Sequence, residues 1–193
     1  GNMGTIYYAN SDPVKAKECF ERQIKIVNAL NQTVGICKAI GNLGVLYSSQ
    51  KNVTKAIECY EQQISLAREI GDKLTLTVSM GTIGVAYYAL GDFPRALDCY
   101  KQQLSNARQI GDQRNITIAI RNMGIIYQEQ GDNNKALECY EQRLKVAREM
   151  NDPRGIAFTL GSMGNAYKDM GLLHQALECY DQALTMSEKI GDK

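Results

Sequence analysis

The stretch Asp112–Asp152, DQRNITIAIRNMGIIYQEQGDNNKALECYEQRLKVAREMND, decides the fold. From about Arg114 to Gln130 its apolar residues fall at helical spacing: Ile116, Ile120, Met123, Ile126 and Tyr127. Gly131-Asp132 then stops that helix and opens the next, as a glycine after a last helical turn does. A second amphipathic pattern runs from about Asn134 to Met150 through Ala136, Leu137, Tyr140, Leu144 and Ala147. Asn151-Asp152 closes it, and Pro153 stands where a new helix would start. No stretch of the chain alternates with period two, so no strand is predicted. Two helices joined by a tight turn cannot bury their apolar faces alone, and stacked copies solve the problem.

Copies are present. Gly4, Gly44, Gly84, Gly124 and Gly164 recur every forty residues, as do Tyr7, Tyr47, Tyr87, Tyr127 and Tyr167. Cys19, Cys59, Cys99, Cys139 and Cys179 keep the same beat. A strict period of this length predicts one all-α supersecondary unit repeated in tandem, at about 1–32, 33–72, 73–112, 113–152 and 153–193, the first truncated at its N-terminus. The glycines lie mid-helix, where Gly costs about 1 kcal/mol against Ala. Their recurrence points to a neighbouring helix that leaves no room for a Cβ. Ala16, Ala56, Ala96, Ala136 and Ala176 mark a second close approach, with Phe20, Tyr60, Tyr100, Tyr140 and Tyr180 as large partners.

Bulk properties narrow the function classes. A formal net charge of +1 gives no electrostatic argument for a nucleic-acid or membrane partner. The apolar runs are too short and too interrupted by charge to span a bilayer. The start GNMGTIYYAN has no signal-peptide pattern, and a chain that opens on Gly1 is expected to be a fragment of a larger protein. Stacked helices lie about 8–10 Å apart, too far for regular cysteines to pair, so free thiols and a reducing, cytoplasmic setting are expected. Cys37 has no counterpart in the other repeats.

The pattern N-L-G-x-x-Y…A-x-x-C-Y, as in Asn42-Leu43-Gly44 to Tyr47 and Ala56 to Tyr60, resembles the tetratricopeptide repeat over essentially the whole chain. The common repeat is 34 residues; the forty-residue form is similar to that of the Pins/LGN cell-polarity scaffolds and the kinesin light chains. The family's small residue in mid second helix is here Gln23, Gln63, Gln103 and Arg143, with Ala183 alone conforming, and the chain has no Trp. The resemblance implies a right-handed superhelical solenoid of five helix-turn-helix repeats, with first helices lining a concave groove and second helices forming the outer wall.

With Met123, Gly124 and Tyr127 packed inward, residue 122 points about 100° away and shares a face with 118, 125 and 129. Across the repeats that position reads Asn2, Asn42, Thr82, Asn122 and Ser162, a polar row at about 10 Å intervals suited to the backbone of an extended peptide. The competing reading is that these side chains tie adjacent helices together. One turn on stand Thr5, Val45, Val85, Ile125 and Asn165; one turn back stand Lys38, Val78, Ile118 and Phe158, with Tyr8 and Tyr88 at the lip. An apolar stripe beside amides is what a peptide with apolar anchors needs. Packing between first helices competes with that reading, ahead of it at Val78 and Ile118 and behind it at Val45 and Val85. Toward the C-terminus the face turns charged, with Arg121, Glu129, Lys168 and Asp169. Lys38, Asn42, Arg121 and Asn122 do not complete the carboxylate clamp of chaperone-binding family members.

No catalytic constellation stands out. His174 is the only histidine and reads as a surface residue. The GNMG, GNLG and GTIG strings lie inside predicted helices and lack the Gly-Lys-Ser/Thr of a phosphate loop. The expectation is a non-catalytic scaffold without metal or cofactor that binds a protein or peptide, not nucleic acid or membrane, in a groove near 50 Å that holds about 15 extended residues. The alternatives are a regulatory arm of a larger signalling enzyme and a module that self-associates end to end.

Overall fold

The computed structural model describes residues 2–9, 12–30 and 32–191, without the Asn2 side chain. Ten helices follow one another: α1 (Asn2–Ala9), α2 (Pro13–Ala29), α3 (Thr33–Ser49), α4 (Val53–Glu69), α5 (Lys73–Ala89), α6 (Phe93–Ile110), α7 (Gln113–Glu129), α8 (Asn133–Glu149), α9 (Pro153–Asp169) and α10 (Leu173–Lys189). No strand occurs among the described residues. The helices of the fourth repeat begin and end one residue from the predicted bounds.

The chain forms two compact units, Gly1–Asn106 and Ala107–Lys193. In the first, α1 packs on α2, α2 on α3, α3 on α4 and α4 on α5; in the second, α7 packs on α8, α8 on α9 and α9 on α10. The core of the first unit includes Ala16, Phe20, Leu43 and Leu46. That of the second joins Ala136, Leu137, Tyr140 and Leu144 to Leu160, Met163, Ala166 and Cys179.

The hairpin turns at Gly91-Asp92 and Gly131-Asp132 share one local chemistry. Gly131 takes φ +76°, the left-handed conformation that a side chain disfavours. Asp132 N then donates to Tyr127 O at 2.9 Å, and Asp132 Oδ1 accepts from Lys135 N at 3.2 Å, capping α8. Lys135 Nζ also pairs with Asp132 Oδ2 and lies 5.6 Å from the Tyr127 ring centroid. Lys15 on Tyr7, Lys55 on Tyr47 and Arg95 on Tyr87 repeat the stack. These basic residues at the starts of second helices therefore clasp the turns. The last hairpin has Leu172 as a cap residue with no side-chain hydrogen bond, and Gln175 in place of the cation.

The recurrent glycines are crowded as expected, and by an aromatic ring. A Cβ on Gly44 would lie 2.5 Å from Tyr60 Cε1, and one on Gly124 would lie 2.5 Å from Tyr140 Cε1. These rings are buried, and burial pushes both phenols up to about 12. The six cysteines are free thiols, with Cys37, Cys99, Cys139 and Cys179 buried. Leu177 on α10 is 68% exposed, whereas its equivalent Leu137 is 8% exposed under α9.

Candidate functional site

The first-helix face of the first unit holds a hollow of about 460 Å³ between α3 and α5. Lys38, Asn42 and Val45 of α3 line it, opposite Val78, Ser79 and Thr82 of α5, with Gln63 of α4 at its base. The one-turn spacing on each first helix sets Lys38, Asn42 and Val45 side by side, and Val78 beside Thr82; Ser79 and Gln63 were not among the predicted rows. Val45, Val78 and Val85 are 44%, 47% and 53% exposed. The packing reading favoured at Val78 therefore does not hold, since its side chain faces the hollow. Ile118 and Ile125 are half-buried in the second unit, and Phe158 is 53% exposed.

The polar row does not tie helices together among the described residues. Thr82 Oγ1 lies 3.0 Å from Val78 O, and Ser162 Oγ 3.0 Å from Phe158 O, each bonded within its own helix. Asn122 Oδ1 accepts from Nε and Nη2 of its neighbour Arg121, at 3.3 and 3.2 Å. Asn42 is half-buried and its side chain has no hydrogen-bond partner among the described residues. The Asn2 side chain lies outside the described residues. Asn165 is exposed, yet its Oδ1 already accepts from Tyr180 Oη at 2.7 Å. Tyr8 is exposed, and Tyr88 is half-buried against Phe93, ring centroids 5.9 Å apart. Lys38 is exposed and Arg121 half-buried.

The ties come from residues the sequence marked only as family departures. Gln63 reaches inward from α4, donating from Nε2 to Cys37 O at 3.3 Å and accepting from Ser79 Oγ at 2.9 Å. It thereby joins both first helices that flank the hollow. Its amide fills the space beside Gly41, where a Cβ would collide with it. Gln103 crowds Gly81 in the same way. In the next repeat the pair is Arg121 and Arg143, and in the last it is Gly161 and Ala183. Arg143 Nη1 donates to Thr159 Oγ1 at 2.5 Å, and Thr159 Oγ1 donates to Gly155 O at 2.6 Å. The guanidinium carbon lies 5.1 Å from the Phe158 ring centroid. Burial, and then the like charge of Arg121, push the Arg143 guanidinium below its ordinary value, while Asp152 acts the other way. The sequence signal for these ties was the joint change of two columns, Gly with Gln and Arg with Arg.

Other chemistry is sparse. His174 is well exposed, with Nδ1 3.4 Å from Glu178 Oε1. Among the described residues no group of three or more His, Cys, Asp or Glu is placed to hold a metal ion. No helix there is long and apolar enough to cross a membrane.

Paired helices stacked with ring-on-glycine contacts, and a lined first-helix face, define a helical-repeat protein of the protein-interaction class. The family profile described as tetratricopeptide repeat matches residues 35–109, 80–149 and 115–189, well over half of the chain. The chain belongs to the tetratricopeptide repeat family. No curated protein matches it. Among solved structures, BtubC (BKLC) from P. vanneervenii is similar with a TM-score of 0.88 at 19% identity, over 98% of this chain and 79% of that one. The kinesin light chain TPR-like repeats of Podosopora anserina give 0.81 at 17% identity, over 100% and 94%. Aspartyl phosphate phosphatase F from Bacillus subtilis gives 0.84 at 14% identity, over 98% and 50%. These likenesses carry the fold alone.

Proposed function

We propose that the first-helix faces bind an extended segment of a partner protein, and that the chain is a non-catalytic scaffold. One observation carries the reading. Asn42 holds a half-buried amide with no partner of its own among the described residues, in a hollow flanked by exposed Val45 and Val78. An amide left wanting both a donor and an acceptor suits a peptide backbone, and the valines suit apolar side chains on alternate ligand positions. Packed helices within a unit present such a face without first having to fold, which limits the entropic cost of binding.

The test is a screen of end-capped peptides about 15 residues long against the whole chain and its Asn42→Ala variant. Binding should weaken about tenfold in the variant, the effect of one lost hydrogen bond of about 1.4 kcal/mol, while the thermal melt stays in place. A large drop in melting temperature would make Asn42 structural, and unchanged binding would remove it from the site.

A further inference from the structure

A shift of two repeats, 80 residues, carries the lining of the first unit's hollow onto the second unit. Gly41 becomes Arg121, Gln63 becomes Arg143 and Val78 becomes Phe158. A neutral amide at the base is thereby replaced by a cation. Arg143 is only 8% exposed, and its Nε is buried without a hydrogen-bond partner. Its one hydrogen bond goes to a neutral hydroxyl, Thr159 Oγ1, and its ring contact is to Phe158, itself half exposed on the groove side. The second cation, Arg121, is held beside it by Asn122 and adds like charge. Asp152 acts on Arg143 only through space, and its Oδ1 is already bonded to Gly155 N at 2.9 Å.

A buried cation with no paired anion is costly, and two adjacent cations more so. Neutral Gln63 bonds Ser79, the equivalent of Thr159, in the second repeat, so that bond does not need the charge. Guanidinium donors match a carboxylate in a two-pronged geometry, and such bonds strengthen away from water. We propose that Arg121 and Arg143 form a subsite for an acidic side chain, Asp or Glu, of the segment bound at the second unit. Phe158 covers the site and packs on the ligand's methylene stem when the carboxylate enters. The subsite rests on the peptide-binding reading above and gives it a chemical preference at the second unit, an acidic residue.

Two measurements on the whole chain test this. In the first, the Arg Nε–Hε resonances are followed by NMR during titration with sodium glutarate and, in parallel, with uncharged glutaramide. Glutarate should shift the Arg143 signal saturably and glutaramide should not; no shift with glutarate overturns the subsite. In the second, end-capped peptides from the screen are compared as Glu/Gln pairs. Glu should bind about tenfold more tightly, and the preference should vanish in Arg121→Gly/Arg143→Gln, which installs the pairing already present at Gly41 and Gln63. An unchanged circular dichroism spectrum and melt would show that this variant is folded. Peptide binding with no Glu preference overturns the subsite and leaves the groove reading standing. A glutarate shift with no peptide bound anywhere sinks the groove reading and keeps the carboxylate site. A phosphoserine preference over Glu, lost in the double variant, overturns the carboxylate assignment in favour of phosphate.

Discussion

The positions that line the first unit's hollow and their equivalents in the second unit lie on corresponding helices and differ in which side chain crosses them. In the first, Gln63 runs from α4 between α3 and α5 and satisfies a carbonyl and a hydroxyl. In the second, Arg143 runs from α8 toward α9 and satisfies a hydroxyl alone. Gly41 must be small because the amide beside it claims the space, whereas Arg121 stands at that position once the glutamine is gone. The last repeat offers a third solution, with Gly161 facing nothing within 4 Å and Ala183 too short to reach. The difference teaches that two kinds of glycine share these helices. One kind serves the stack and is the same in every repeat; the other serves the crossing side chain and changes with it.

The largest effect is expected where the units should agree. Gly44→Leu and Gly124→Leu each drive a side chain into a buried tyrosine ring and should each cost about 3 kcal/mol of stability in urea denaturation. A variant tolerated in one unit and not in the other would break the claim of shared packing. The next effect comes where they should differ. Gly41→Ala displaces the Gln63 amide and should lose about 1 kcal/mol, whereas Gly161→Ala should gain about 1 kcal/mol from helix propensity alone. Melting shifts of the same sign would show that the second glycine column is not coupled to its crossing residue. The smallest effect concerns Arg143. Replacing a poorly compensated buried cation with a neutral chain of similar length, Arg143→Met, should leave stability unchanged or raise it by about 1 kcal/mol. A marked loss in the same denaturation measurement would show that the bond from Arg143 to Thr159 outweighs the cost of burying the cation.

The fold was almost wholly legible in the sequence because its signals are local and repeated. Hairpin turns at Gly131-Asp132, helices bounded within a residue and a crowded glycine in each repeat all follow from short-range chemistry. The groove face was legible to the level of rows. Periodicity places Asn42, Val45, Val78 and Thr82 together, yet it does not say which polar residues bond within their own helix, as Thr82 and Ser162 do. That depends on rotamers and exposure. Val78 reads as packing ahead of surface until α5 is set against α3. The crossing ties were hidden for a different reason. Gln63 and Arg143 lie on outer helices, where a polar residue is ordinary, and only their pairing in space with columns twenty-two residues earlier gives them meaning.

The buried cysteines have a consequence for how the stack breathes. Burial pushes the Cys99 and Cys139 thiols up to about 11 and raises Cys59 and Cys179 as well. At neutral pH about one in ten thousand molecules carries a thiolate at a site shifted to about 11. A soluble thiol reagent therefore modifies such a residue mainly when its helix pair opens. With Cys59, Cys99, Cys139 and Cys179 in the same place in successive repeats, the order of their modification reports which of these repeats come apart first, and a ligand that clamps a repeat would slow the modification of its cysteine alone.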